Sequence, residues 1–287
     1  MSRIAYVNGQ YLPHLYGVIH IEDRGYQFAD GVYEVIYYAD GHLIDAQEHL
    51  NRLKYSLAEL QIISPMPEKA LTHVMKEVIR RNRLKRGMVY VQISRGVAPR
   101  NHAFPKQCHA SLVITTRPFD QQKFMAEKYQ GVKVISLPDM RWARPDIKTI
   151  ALLPNVLCKQ KAIESNAYDA ILINKDGFVT ESSVANLWML RSDGVLQTHP
   201  ADHQILNGIT RQRLIQIARK EGFQVEESPF TLSELLEAQE IFLSSSVAGI
   251  IPVVQVDQQK IRGSKPGKVV DQLSQCYQRY VRSYNDN

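Results

Sequence analysis

At 287 residues, 44% apolar and 22% charged, the chain is long enough for two domains or one large one and has the balance of a soluble globular protein. Its apolar runs are short, and the one at 241–253 is broken by Ser244, Ser245 and Ser246, so no membrane span is expected. The formal charge of +6 admits nucleic acid or anionic small molecules, but the densest basic run, Lys76, Arg80, Arg81, Arg83, Lys85 and Arg86, falls at an expected helix end, where cations complement the carbonyls, and lacks the interleaved aromatics that base stacking needs.

Three widely spaced cysteines, Cys108, Cys158 and Cys276, argue against a disulfide framework or a zinc site. The opening residues MSRIAYVNGQ lack an apolar signal core, so a cytoplasmic protein is expected. From Arg3 to about Asp45 the pattern is strands and turns: RIAYVNG and YGVIHIED read as β segments, and VYEVIYYADGHLID as a hairpin turning at Asp40-Gly41. Between them DRGYQFADGVYE packs two glycines and three aromatics into a short compass. Residues 46–61 predict a helix with Leu50, Leu53, Leu57 and Leu60 on one face and Arg52 off that stripe.

A second helix is predicted at about 67–85, then strands near 88–95 and 110–116. The loop between those strands, VAPRNHAFPKQ, carries Arg100 and His102 between Pro99 and Pro105. Prolines stiffen it, and a guanidinium beside an imidazole suits a carboxylate; the plainer reading is two polar residues on a polar loop. Around 117–131 the pattern turns polar and loses its period, which places a domain boundary there. The expected division is 1–118, a linker at 119–131, and 132–287.

The second half alternates strand and helix. GVKVISLP is a strand, and Lys148 follows in a mostly apolar stretch with Ile147, Ile150, Leu152 and Leu153. Its ammonium loses hydration there, which disfavours the charged form, and a neutral amine can form a Schiff base with an aldehyde. The plainer reading is a strand lysine snorkelling to water. Pro154 then starts a helix running to about Asn166. DAILIN and FVTESSVANLWML form a strand and its return around Lys175-Asp176-Gly177, with Glu181 on the return. Gly208-Ile209-Thr210 opens an amphipathic helix whose free N–H groups suit a phosphate. TLSE at 231–234 matches a capping box, EIFLSSSVAGIIPV is a strand carrying Ser244 to Ser246, and the tail from 267 is a helix.

A lysine, a carboxylate, an arginine, a helix start and a serine cluster are the parts that pyridoxal 5′-phosphate asks for: an amine for its aldehyde, donors for its phosphate and an acidic partner for its ring nitrogen. Over nearly its whole length the chain resembles the fold type IV pyridoxal-phosphate enzymes, most closely the D-amino acid aminotransferases. The segments that carry the likeness are DRGYQFADGVYE, EHLNRLKYS, SRGVAPRNHAFP, RPDIKTIALLPNVLCKQKA, VTESSVANLW, ILNGITR and FLSSSVAGIIPV, in the family's order.

The resemblance implies a two-domain α+β / α/β fold, with a small N-terminal domain, a larger C-terminal domain and the cofactor at their interface. It implies that Lys148 holds the cofactor and moves the substrate proton, that Glu181 pairs with the pyridine nitrogen, and that Arg52, the N–H groups of Ile209 and Thr210 and the Ser246 hydroxyl hold the phosphate. Tyr33, Arg100 and His102 look like the family's trap for the substrate α-carboxylate, with the Arg100 loop coming from the neighbouring subunit of a homodimer. The implied reaction is a ping-pong transfer of the amine of D-alanine or D-glutamate to a 2-oxo acid, with no metal, nucleic acid or membrane partner. Branched-chain L-amino acid aminotransferases and aminodeoxychorismate lyase share the cofactor segments and stand as alternatives; the Arg100-Asn101-His102 motif favours the D-amino acid reading. Ala29 stands where the family usually has glycine and Ser182 where glycine often follows the glutamate, both small replacements; Val247 and Gly249 stand where relatives often carry polar or acidic groups, positions that bear on side-chain specificity.

Overall fold

The structure, a computed structural model, describes residues 3–284. Its residues divide into two compact units, within Met1–Asp120 plus Ile147–Ala151 and within Gln121–Asp146 plus Leu152–Asn287. Sequence pattern assigned 132–287 to one block, whereas Ile147–Ala151 clusters with the first unit: Ile147 is buried in that unit's core, and Thr149 forms a bridge to Val32. The expected linker carries a helix, Gln121–Glu127.

The first unit contains β1 (Ile4–Val7), β2 (Gln10–Pro13), α1 (Arg24–Phe28), β3 (Gly31–Ala39), β4 (His42–Leu43), α2 (Ala46–Glu59), α3 (Glu68–Arg81), β5 (Arg86–Ser94) and β6 (Ser111–Pro118). Its six strands form an antiparallel sheet in the order β2-β1-β6-β5-β3-β4. Asp40 and Gly41, both at positive φ (48° and 103°), make the tight turn that the Asp-Gly pair favours. Alternation along β3 buries Val32 and Ile36, which join a core with Leu50, Leu53 and Leu57 of α2 and Leu71, Met75 and Val78 of α3. Burying each such side chain contributes about 1.5–3 kcal/mol, which fixes both helices against the sheet.

YGVIHIED does not form the expected strand. Pro13 closes β2, the chain turns through a short 3-10 helix at His14–Tyr16, and Leu15, Tyr16, Val18 and Ile21 are exposed. Its alternation has no buried face to match, so apolar spacing alone could not make it a strand.

The second unit begins with α4 (Gln121–Glu127) and β7 (Val132–Pro138), followed by α5 (Leu153–Glu164), β8 (Asp169–Ile173), β9 (Val179–Ser182), β10 (Asn186–Leu190), β11 (Leu196–Thr198), α6 (Ile209–Lys220), β12 (Val225–Glu227), α7 (Leu232–Leu236), β13 (Glu240–Ser245), β14 (Gly249–Val256), β15 (Gln259–Lys260) and α8 (Lys268–Ser283). The strands form one mixed sheet ordered β12-β11-β10-β13-β14-β7-β8-β9, with β15 beside β14. Pro154 lies in the first turn of α5, and Thr231 and Glu234 make the capping box of α7. FVTESSVANLWML is two strands rather than one, because the buried Asp169 accepts the hydroxyls of Ser182 and Ser183 and draws the chain into a turn. Among the described residues no helix is long and apolar enough to cross a membrane.

Candidate active site

In the first unit, Lys148 is held by its backbone rather than carried on a regular strand. Its carbonyl accepts the Tyr33 N–H at 3.0 Å, Ile150 N–H reaches the Gly31 carbonyl at 3.1 Å, and its own N–H donates to Ser56 Oγ at 3.1 Å. Gly31 is required by this closeness: a Cβ there would lie 2.7 Å from the Ile93 carbonyl oxygen and 3.1 Å from Ile150 Cδ1. The side chain, half-buried, places Nζ 4.3 Å from the centre of the Tyr33 ring, where a ring face can receive a cation. Tyr33 in turn stacks on Tyr90 at 5.7 Å, so the amine stands against one of two stacked phenol rings. Burial, then the neighbouring Tyr33, push the Tyr90 hydroxyl up to about 12.

On the buried side of β3, Glu34 grips Arg52 through two parallel bonds, Nε to Oε1 at 2.7 Å and Nη2 to Oε2 at 2.8 Å, and contacts His49 Nδ1 at 2.7 Å. Arg52 is thus not the exposed helix-face residue its place off the leucine stripe suggests; its side chain is 9% exposed. Burial opposes ionisation of Glu34, but the Arg52 charge and hydrogen bonds and the His49 ring outweigh it and hold the carboxyl far below the usual range. His49 moves the other way. Burial, aided by the positive Arg52 and Lys148, lowers its proton affinity against the pull of Glu34, so the neutral ring donates Nδ1–H to the carboxylate. Glu34 and His49 escaped sequence reasoning, although an acid at an inward position of an alternating strand was a readable signal.

Arg100 and His102 stand on the exposed loop between β5 and β6. The structure brings them to one ring, that of Phe28: the Arg100 guanidinium is 4.7 Å from its centre and the His102 ring 5.4 Å. Lys148 and Tyr33 make their ring contacts with each other and with Tyr90.

In the second unit, Glu181 is 5% exposed on β9. Arg141 Nη1 donates to its Oε1, as does the Leu206 N–H at 3.1 Å, and Asn186 Nδ2 donates to Oε2 at 2.9 Å. Burial dominates over these donors and raises the proton affinity of the carboxyl. Arg141, braced by Asp139, lies inside the stretch that carries Lys148 in sequence but had no pattern of its own. Ile209 and Thr210 open α6, whose N-terminus is capped by no side chain. Gly208 before them has φ −65°; what requires glycine is Asn186, whose Oδ1 would lie 2.0 Å from a Cβ. One residue therefore ties the helix start to Glu181. Ser246 sits in the turn after β13, where its carbonyl accepts Gln121 Nε2 at 2.9 Å; Ser244 instead accepts the Trp188 indole N–H at 3.0 Å, and Ser245 the Ala248 N–H.

Residues 31–256 match the amino-transferase class IV family. The chain belongs to that family. Curated relatives include the D-alanine aminotransferase of Bacillus licheniformis, 41% identical over 278 residues that cover 96% of each chain, and that of Listeria monocytogenes serotype 4b, 40% identical over 276 residues covering 94% of this chain and 93% of the relative. Solved structures with the same fold include the branched-chain amino acid aminotransferase from Escherichia coli (TM-score 0.86, 23% identity, 96% of this chain and 92% of that one). Another is the PLP-bound form of a hypothetical aminotransferase from Mycobacterium tuberculosis (TM-score 0.82, 20% identity, 95% and 96%). Both show the fold of this class IV aminotransferase, a two-unit mixed α and β architecture of fold type IV. The match starts at Gly31, so α1 and Ala29 lie just ahead of the matched residues.

Proposed function

We propose that the chain is a pyridoxal 5′-phosphate-dependent D-amino acid aminotransferase, moving the amine of D-alanine or D-glutamate to a 2-oxo acid in a ping-pong cycle and acting as a homodimer. The observation that carries this reading is the likeness to D-alanine aminotransferases at 40–41% identity along nearly the whole chain, which the Arg100-Asn101-His102 sequence supports. The donor set suits the cofactor chemically. An amine stands on an aromatic ring, a buried carboxylate with raised proton affinity offers an acceptor to a ring N–H, and a helix start offers N–H groups to a phosphate.

When bound, pyridoxal 5′-phosphate supplies an aldehyde that takes up the substrate amine and a ring that withdraws electrons from the bonds to the substrate Cα. Lys148 Nζ would hold that aldehyde between turnovers and, once released by the substrate amine, would carry the proton away from the substrate Cα in one half of the cycle and deliver one to the carbon of the incoming 2-oxo acid in the other, being restored to its starting protonation state within each half. Glu181 would accept the ring N–H, while Arg141 and Asn186, which donate to its carboxyl, keep it oriented and Arg141 balances its charge. Arg52, the N–H groups of Ile209 and Thr210 and the Ser246 hydroxyl would hold the phosphate, and Glu34 fixes the direction of the Arg52 fork. Tyr33, Arg100 and His102 hold the substrate α-carboxylate, with Arg100 and His102 reaching the site of the partner subunit.

The test is turnover of D-alanine with 2-oxoglutarate by the parent and by Lys148→Ala. The parent forms pyruvate and glutamate in equal amounts, and Lys148→Ala lowers the rate by roughly 10²–10⁴-fold, the usual worth of a positioned proton-transfer group. A parent that forms no pyruvate, or a variant at the parent rate, contradicts the reading.

A further inference from the structure

Arg24 opens the five-residue helix α1, yet it is 3% exposed. Its Nε donates to Asp30 Oδ2 at 2.8 Å. The rest of the fork is spent on one stretch of backbone: Nη1 donates to the Asn101 carbonyl and, at 3.5 Å, to that of Ala103, and Nη2 to the His102 carbonyl at 3.4 Å. The bond to Asn101 is the strong one and the other two are weak by distance. Three successive carbonyls thus face one guanidinium, at the tip of the loop that presents Arg100 and His102.

That tip has little else to hold its backbone. Pro99 and Pro105 flank it, the Asn101 side chain accepts the Ala103 N–H at 3.0 Å, and no helix or strand runs through it. The Phe28 ring completes the arrangement, with Arg24 at 4.8 Å from its centre beside Arg100 and His102. Asp30 is shared with Arg95, which donates Nε at 2.7 Å and Nη2 at 3.0 Å. Burial works against the Asp30 charge, but the hydrogen bonds and charges of Arg95 and Arg24 prevail and keep it ionised. Arg95 anchors the other end to the Leu60 and Gln61 carbonyls and lies 3.6 Å from the centre of the Phe104 ring. Desolvating a guanidinium is costly unless each N–H finds an acceptor, and here the acceptors are the loop itself.

We propose that Arg24 is a positioning residue for substrate-carboxylate recognition: by holding the Asn101 carbonyl, with those of His102 and Ala103 facing the same guanidinium, it aims the Arg100 and His102 side chains without touching the substrate. The inference rests on the reading of Arg100 and His102 as the carboxylate trap. Arg24→Lys keeps a cation beside Asp30 but replaces the five-donor planar fork with a three-donor ammonium that cannot serve Asp30 and three carbonyls at once. Phe28→Leu removes the shared ring and leaves the Arg24–Asp30 pair in place.

The experiment measures KM and kcat for D-alanine in holoenzyme carrying Arg24→Lys or Phe28→Leu, each alone and combined with Arg100→Ala, with the visible cofactor band recorded throughout. Either variant alone raises KM about tenfold, as ~1.4 kcal/mol of lost positioning does, with kcat within about twofold and the band unchanged; added to Arg100→Ala, either changes KM by less than about twofold, because neighbours acting as a unit are not additive. Parent KM in both variants, an equal rise in both backgrounds, loss of kcat together with the band, or failure of both variants to fold overturns the role of Arg24. An Arg100→Ala enzyme at parent KM removes the trap reading itself, and the role of Arg24 with it.

Discussion

Ala29 closes α1 in the left-handed region, at φ 55° and ψ 29°, where a Cβ crowds the following carbonyl at a cost of roughly 1–2 kcal/mol. The position is one where the family resemblance leads to an expectation of glycine, and the backbone supplies the reason. Ala29→Gly relieves the strain but gives the unfolded chain more freedom to lose, about 0.4–1 kcal/mol. The net expectation is a stabilisation of ~0.5–1 kcal/mol, read as a higher urea midpoint at unchanged slope; an unchanged or lower midpoint contradicts it. Residues differ in how plainly the sequence announced them. Lys148 draws attention in the sequence because Ile147, Ile150, Leu152 and Leu153 around it are apolar and it is not. Arg24 was not, because its partners are carbonyls 77 to 79 positions away, and a carbonyl has no letter. Arg141 was hidden for a related reason: what singles it out is Glu181, 40 positions on.

At the scale of elements, β3 and α2 are one device. The strand sends Tyr33 to the Lys148 side and Glu34 to the helix, and α2 answers with His49 and Arg52 one turn apart. Ionised Glu34, with its proton affinity depressed in the fold, favours folding at every pH above its ordinary value of 4.5 and loses that contribution as acid protonates it. His49, also depressed, acts in the same direction, since protonating it in acid works against the fold. Glu34→Gln breaks a buried pair and is expected to cost about 3–5 kcal/mol at pH 7, with the gap to the parent closing below about pH 4. Urea titrations at the two pH values measure this; a gap that stays constant with pH contradicts it. The helices α2, α3 and α8 were legible because a 3.6-residue apolar period survives on each. Residues 17–22 show the limit of that logic: a strand-like alternation without a core to face stays irregular.

The whole molecule joins two sheets of different character: an antiparallel one backed by α2 and α3, and a mixed one that carries Glu181 and the start of α6. The chain returns to the first unit for the few residues around Lys148, a threading that no linear boundary could express. The order of the seven motif segments was readable throughout, and membership of the class IV family rests on residues 31–256. Which amine the enzyme takes is the central claim. The most direct test is the initial rate of the holoenzyme with D-alanine and with L-leucine, each against 2-oxoglutarate. D-alanine is expected to give pyruvate and glutamate at a rate exceeding that with L-leucine by on the order of 10²-fold or more, since a site that pairs substrate polar groups rejects ligands that leave them unpaired. Equal rates, or L-leucine as the faster substrate, contradict it.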